Sequence, residues 1–187
     1  MLAYVFWHWP TEGVATDEYE RLQQGFHRGL AEAGIAGFQG STVFRIEGQA
    51  PWLGGAPAYV DWYLLDGSAA LDVLNEAAVS GLRKGAHDVL ARAMGAGAGS
   101  LLQARTAVTP EEVNRARWAT WLAKPRGMPY DPFYARLAPV SAQPGVSLWR
   151  RQMVLGPTTE FGLLSTEPLQ LPQGLEPLVL GLAPVVA

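Results

Sequence analysis

From Met1 to Thr109 the spacing of apolar positions switches repeatedly between a strand-like and a helix-like period. Leu2 to Trp9 is a short run of aromatic and β-branched residues, which predicts a strand buried on both faces. Tyr19, Leu22, Phe26, Leu30 and Ala33 then follow helical spacing, with Thr16 or Asp17 as the expected cap and Gly34 as the stop. Two alternating runs come next. In the first, Thr42, Phe44 and Ile46 share a face, and Val43, Arg45 and Glu47 the other. After a Pro- and Gly-containing loop, Val60, Trp62 and Leu64 oppose Tyr59, Asp61 and Tyr63. A long helical stripe, Leu71, Leu74, Ala78, Leu82, Ala86, Val89 and Ala93, starts at a Ser68 cap and is divided near Gly81 and Gly85. The Gly95 to Gly99 stretch is expected to end it, with the next strand at Leu101 to Ala107.

The order strand, helix, strand, strand, helix, strand predicts a ferredoxin-like split βαβ unit over residues 1–109. Thr109-Pro110-Glu111-Glu112 has the form of a capping box, so residues 110–116 read as a short linker helix. From Arg117 the plan restarts. Laid without a gap over Ala3 to Leu22, the stretch Trp118 to Leu137 matches Pro10 with Pro125, Tyr19 with Tyr134, Arg21 with Arg136 and Leu22 with Leu137. Val43-Phe44-Arg45 answers to Leu148-Trp149-Arg150, and Asp61 to Leu65 answers to Glu160 to Leu164. Pro168 to Pro177 is too short and proline-rich for a second helix, so the unit over 117–187 is expected to be degenerate. The predicted class is α+β: two ferredoxin-like repeats whose antiparallel sheets face each other. Such a chain resembles the dimeric α+β barrel superfamily in a tandem-duplicated, single-chain form. That group includes small cofactor-free monooxygenases, haem-degrading and haem-binding enzymes, isomerases and stress-related proteins. No motif selects one branch, and fold alone does not decide function.

Composition narrows the partners. A net charge of -3 and a pI near 5.6 exclude the basic face that nucleic acid requires. The chain has no cysteine, hence neither disulfides nor thiolate metal sites, which fits an expected cytoplasmic location. Met1 to Trp9 lacks a basic leader, and the apolar run Leu178 to Ala187 is broken by Pro184, so no membrane segment is expected. An apolar face left by the degenerate unit would allow a homo-oligomer.

If helices cover one sheet face, the more apolar phase (Phe44, Ile46, Val60, Trp62, Leu64) is expected to meet them. The opposite phase then lines the barrel interior: Tyr4, Phe6, His8, Val43, Arg45, Tyr59, Asp61, Tyr63, Gln103 and Arg105, with Arg150, Gln152 and Glu160 from the second unit. His8, beside Asp61 or Tyr63, is the candidate general base, or else a histidine bonded to backbone or water. Arg45 and Arg150 either clamp an anion or neutralise Asp61 and Glu160 across their hairpins. The three histidines have no close metal-ligand spacing, so no metal site is expected. Gly95 to Ser100 has the glycines of a phosphate loop, but it follows a helix and precedes a strand, the reverse of what such a loop needs. The expected ligand is a small aromatic or anionic molecule in the barrel interior, held by Arg45, Tyr59, Asp61, Tyr63, Arg105 and Arg150. The alternatives are a cofactor-free monooxygenase and an interaction module with a filled barrel. No cofactor is expected, with haem on His87 as a further alternative.

Overall fold

The computed structural model describes residues 1–81 and 83–186. The first half runs β1 (Leu2–Pro10), α1 (Thr16–Ala31), β2 (Phe38–Glu47), β3 (Tyr59–Leu65), α2 (Ser68–Val79), α3 (Arg83–Ala93) and β4 (Met94–Ala104). The second runs α4 (Pro110–Asn114), β5 (Trp118–Leu122), α5 (Tyr130–Ser141), β6 (Ser147–Arg151), β7 (Phe161–Ser165) and β8 (Leu178–Val186). Eight strands close into one antiparallel barrel in the order β1-β3-β2-β8-β5-β7-β6-β4. Read by halves, this is β4-β1-β3-β2 and β8-β5-β7-β6, so the strands of each half sit in the same relative order. Pairing of β2 with β8 and of β4 with β6 joins the halves and leaves no free edge.

Local chemistry explains most boundaries. Thr109 and Glu112 form the capping box of α4, each side chain bonded to the other's backbone N–H. Gly81, at φ +57, lies between α2 and α3; the stripe position Leu82 lies outside the described residues. The caps expected for α1 and α2 are not used. Ala15 precedes α1 and Gly67 precedes α2, while Asp17 and Glu18 lie inside the first turn of α1, where they favour its positive end.

The glycine-rich stretch is a correction. It does not end the helix in a loop but forms the first half of β4, paired along β1 from Pro10 to Phe6. A β-carbon on Gly97 would strike the Phe6 ring, and one on Gly99 would meet Tyr4 Cε2 at 2.7 Å. Small residues are needed there because the two rings lie across that strand.

The two faces of the sheet are also the reverse of expectation. Trp7 on β1 packs against Trp121 on β5 at 5.4 Å, although these strands are not neighbours in the sheet, so both rings lie inside the barrel. Trp62 meets Trp149 at 5.2 Å, and Phe44, Ile46, Val60 and Leu64 join the same core. The more apolar phase therefore fills the interior. The outer face of the first half, carrying Tyr59, Asp61 and Tyr63, packs under α1, α2 and α3 instead. In the second half α5 covers the outer face, and Leu169, Leu171 and Leu175 of the segment before β8 pack there where the first half has α2 and α3.

Candidate functional site

The site is built on the outer face of β1 and β3. Period-two alternation turns His8, Phe6 and Tyr4 to the same side as Tyr59, Asp61 and Tyr63, since Tyr4 pairs with Tyr63, Phe6 with Asp61 and His8 with Tyr59. Helix α1 lies above and buries Tyr19, Gln23, Phe26, His27 and Leu30, a stripe stepping by three and four residues. Three of those five are polar or carry a hydroxyl, and they meet the polar residues of the strands.

Asp61 is the hub and is 1% exposed. His8 Nε2 lies 2.8 Å from its Oδ1, and the Tyr63 hydroxyl donates to its Oδ2 at 2.8 Å. His27 Nε2 reaches the same Oδ2 at 3.4 Å, long for a hydrogen bond. His8 Nδ1 lies 2.7 Å from the Tyr19 hydroxyl. His27 Nδ1 lies 2.7 Å from Ser41 Oγ on β2. Burial alone would push the Asp61 carboxyl up. The charges and hydrogen bonds of His8 and His27 outweigh it and hold the group well below the usual carboxylate range. Burial, then the adjacent Asp61 charge, pushes the Tyr63 hydroxyl far above its ordinary value and the Tyr4 hydroxyl in the same direction. Both stay protonated donors at neutral pH.

Beside this cluster lies a cavity of about 260 Å³. Tyr4, Phe6 and Tyr63 form its floor, and Phe26, Leu74 and Leu90 of the three helices its roof. Asp61 is part of its wall, His87 of α3 lines it, and the exposed Asn75 and Val79 mark its mouth. A wider groove of about 620 Å³ runs over Tyr130, Arg150 and Glu160 in the second half. The smaller cavity is the better candidate, because apolar walls meet a few buried polar groups there. In the groove the Arg150 guanidinium is already bonded to Glu160 at 3.0 Å and stacked 4.2 Å over Tyr130.

The residues expected at the interior are thus dispersed. Asp61 and Tyr63 reach the cavity wall. His8 is fully buried with both ring nitrogens engaged, behind the carboxylate rather than beside the cavity. Tyr59 is buried, with its hydroxyl 3.2 Å from Glu20. Arg45 does not face Asp61: its register partners are Tyr59 and Ala183, and its guanidinium pairs with Glu20 at 2.9 Å on the surface. Arg105 is exposed, 5.4 Å over the Tyr134 ring. Sequence reasoning missed Gln23 and His27. Their spacing of four and eight from Tyr19 places them on its helix face, and that was the available signal. Among the described residues no group of three His, Cys, Asp or Glu is arranged to hold a metal ion. A cavity of about 260 Å³ with no lysine or arginine in its lining does not fit haem, whose macrocycle is bulkier and carries two carboxylates.

No protein-family model matches the chain, and no curated protein is similar to it in sequence. Solved structures are similar to it in fold. A candidate monooxygenase from Lactobacillus acidophilus NCFM superposes with a TM-score of 0.60 at 9% identity, over 99% of this chain and 94% of that one. An anthrone oxidase-like protein follows with a TM-score of 0.51 at 9% identity, over 98% and 90%. The fold is that of the ferredoxin-like α+β barrels. No helix among the described residues is long and apolar enough to cross a membrane.

Proposed function

We propose that the chain binds a small, neutral aromatic molecule carrying a hydroxyl group, in the cavity between α1–α3 and the outer face of the barrel. The observation that carries this is the ionised, buried Asp61 beside the Tyr63 hydroxyl in a mostly apolar wall. A hydroxyl can donate to that carboxylate, whereas an anion would lose its water opposite a negative charge with no cation in the lining. The ligand class is therefore aromatic and uncharged rather than anionic, and the volume suits one or two rings. The tandem reading, units over 1–109 and 117–187 joined by 110–116, is part of this proposal; the shared strand order of the two halves supports it.

Calorimetric titration with 1-naphthol and 1-naphthoate tests it. The alcohol is expected to bind at least about tenfold tighter, a difference of roughly 1.4 kcal/mol. Leu74→Trp, which fills the roof, should abolish binding. Tighter binding of the carboxylate, or unchanged binding by the Leu74 variant, would overturn the assignment.

One observation favours a further step. His87 and the Asp61–Tyr63 pair share one apolar space, which places a proton acceptor near a bound hydroxyl. Cofactor-free monooxygenation is the matching chemistry, in line with the names of the two superposed structures. For 1-naphthol the balance is one O₂ consumed per naphthol, giving one naphthoquinone and one water, with the substrate as the sole reductant. An oxygen electrode and quinone absorbance read it directly.

A further inference from the structure

Seen from Asp61, the polar network has two arms, and they end differently. The His8 arm stops at the Tyr19 hydroxyl, which is fully buried. The His27 arm runs through a ring 2% exposed to Ser41, which is half-buried on β2. At its inner end His27 Nε2 stands 3.4 Å from both Asp61 Oδ2 and the Tyr63 hydroxyl, the two groups that the cavity wall presents. His27 is therefore an imidazole with one nitrogen toward the cavity and the other toward the outside.

We propose that His27 is the proton conduit of this cavity, exchanging protons between the Asp61–Tyr63 pair and solvent through Ser41. A proton enters at Nδ1 from the Ser41 hydroxyl, which is refilled by water, and another leaves Nε2 for Asp61, either directly or through the Tyr63 oxygen as that hydroxyl passes its own proton to Oδ2. The reverse passage removes a proton from the cavity. The ring changes tautomer, and no electron moves. The groups that face His27 are few. Asp61 and Tyr63 come from β3 and Ser41 from β2; His8 from β1 reaches the same carboxylate, and the uncharged Gln23 of α1 lies 3.5 Å from His8 Nε2. His87 of α3 packs beyond the intervening Phe26 ring. His8 is then a positioning residue that fixes the far oxygen of Asp61. The cargo rests on the hydroxyl-binding reading, whereas the path belongs to the free protein.

Nuclear magnetic resonance of imidazole ¹⁵N-labelled, unliganded protein tests the path. The ring N–H of His27 is expected to exchange with water at least about tenfold faster than that of His8, although both rings are buried. Ser41→Thr and Ser41→Val add the same bulk, and only threonine keeps the hydroxyl. The threonine variant should exchange like the parent, and the valine variant about tenfold slower at His27 alone. Equal exchange at His8 and His27, or equal exchange in the two variants, would overturn the conduit. If the conduit passes and 1-naphthol does not bind, the ligand reading fails by itself. If 1-naphthol binds and the variants are equal, only the conduit fails.

Discussion

Asp61→Asn is expected to lower the unfolding free energy by about 3–5 kcal/mol at pH 7, the cost of removing one member of a buried charged cluster. His8 and the Tyr63 hydroxyl direct hydrogen bonds at this carboxylate, His27 Nε2 stands 3.4 Å from it, and the residue is 1% exposed. The sign with pH follows from the lowered carboxyl. A group whose folded pKa lies below its unfolded value of about 3.9 contributes its full stability above that value. The contribution is lost as pH falls through the lower, folded value. The difference between parent and variant should therefore shrink as pH falls below about 4. Urea unfolding of both proteins at pH 7 and pH 3 measures it. A cost below about 1 kcal/mol at pH 7, the range of an exposed pair, would contradict the buried hub.

Trp121→Ala is expected to cost about 3–5 kcal/mol as well, through a cavity instead of a charge. The Trp121 ring is 1% exposed and touches Trp7, Trp52 and Trp62, all from the first half of the chain. Gly162 lies under it, where a β-carbon would come within 2.8 Å of the ring. Because one tryptophan core spans both halves, calorimetry should show a single transition that moves to lower temperature, not one half melting ahead of the other. Trp121 lies on β5, inside the barrel, while the cavity lies outside β1 and β3. The 1-naphthol affinity of the folded variant should stay within about threefold of the parent, as for well-separated sites. Two resolved transitions would mean that the halves have separate cores.

The fold was readable because periodicity and punctuation agree in this chain: alternation in β2 and β3, glycine between α2 and α3, the capping box at Thr109. The inward face was not. Asp61 apart, both phases of β3 are apolar or aromatic, and all seven of its residues are buried, so alternation says that two faces exist without saying which one closes on itself. Residue volume held the better signal, since Trp7, Trp62, Trp121 and Trp149 share a phase that only a barrel interior can absorb. Gly95 to Gly99 misled for a related reason. Glycines lower strand propensity by themselves, and only the rings of Tyr4 and Phe6 on the neighbouring strand make them necessary. For the site, strand phase put His8, Asp61 and Tyr63 on one face together, but toward the interior instead of the helices. Gln23 and His27 were passed over because a polar residue on an amphipathic helix reads as solvent-facing until its partner is seen.

The location of a bound ligand separates the helix-covered cavity from the barrel interior. Methyl and indole resonances followed during titration with 1-naphthol give that location. The account predicts that shifts concentrate on Leu74, Leu90 and Met94, which line the cavity, and leave the indole N–H signals of Trp7, Trp62 and Trp121 in place. Largest shifts at those indoles, with Leu74 and Leu90 unmoved, would contradict it.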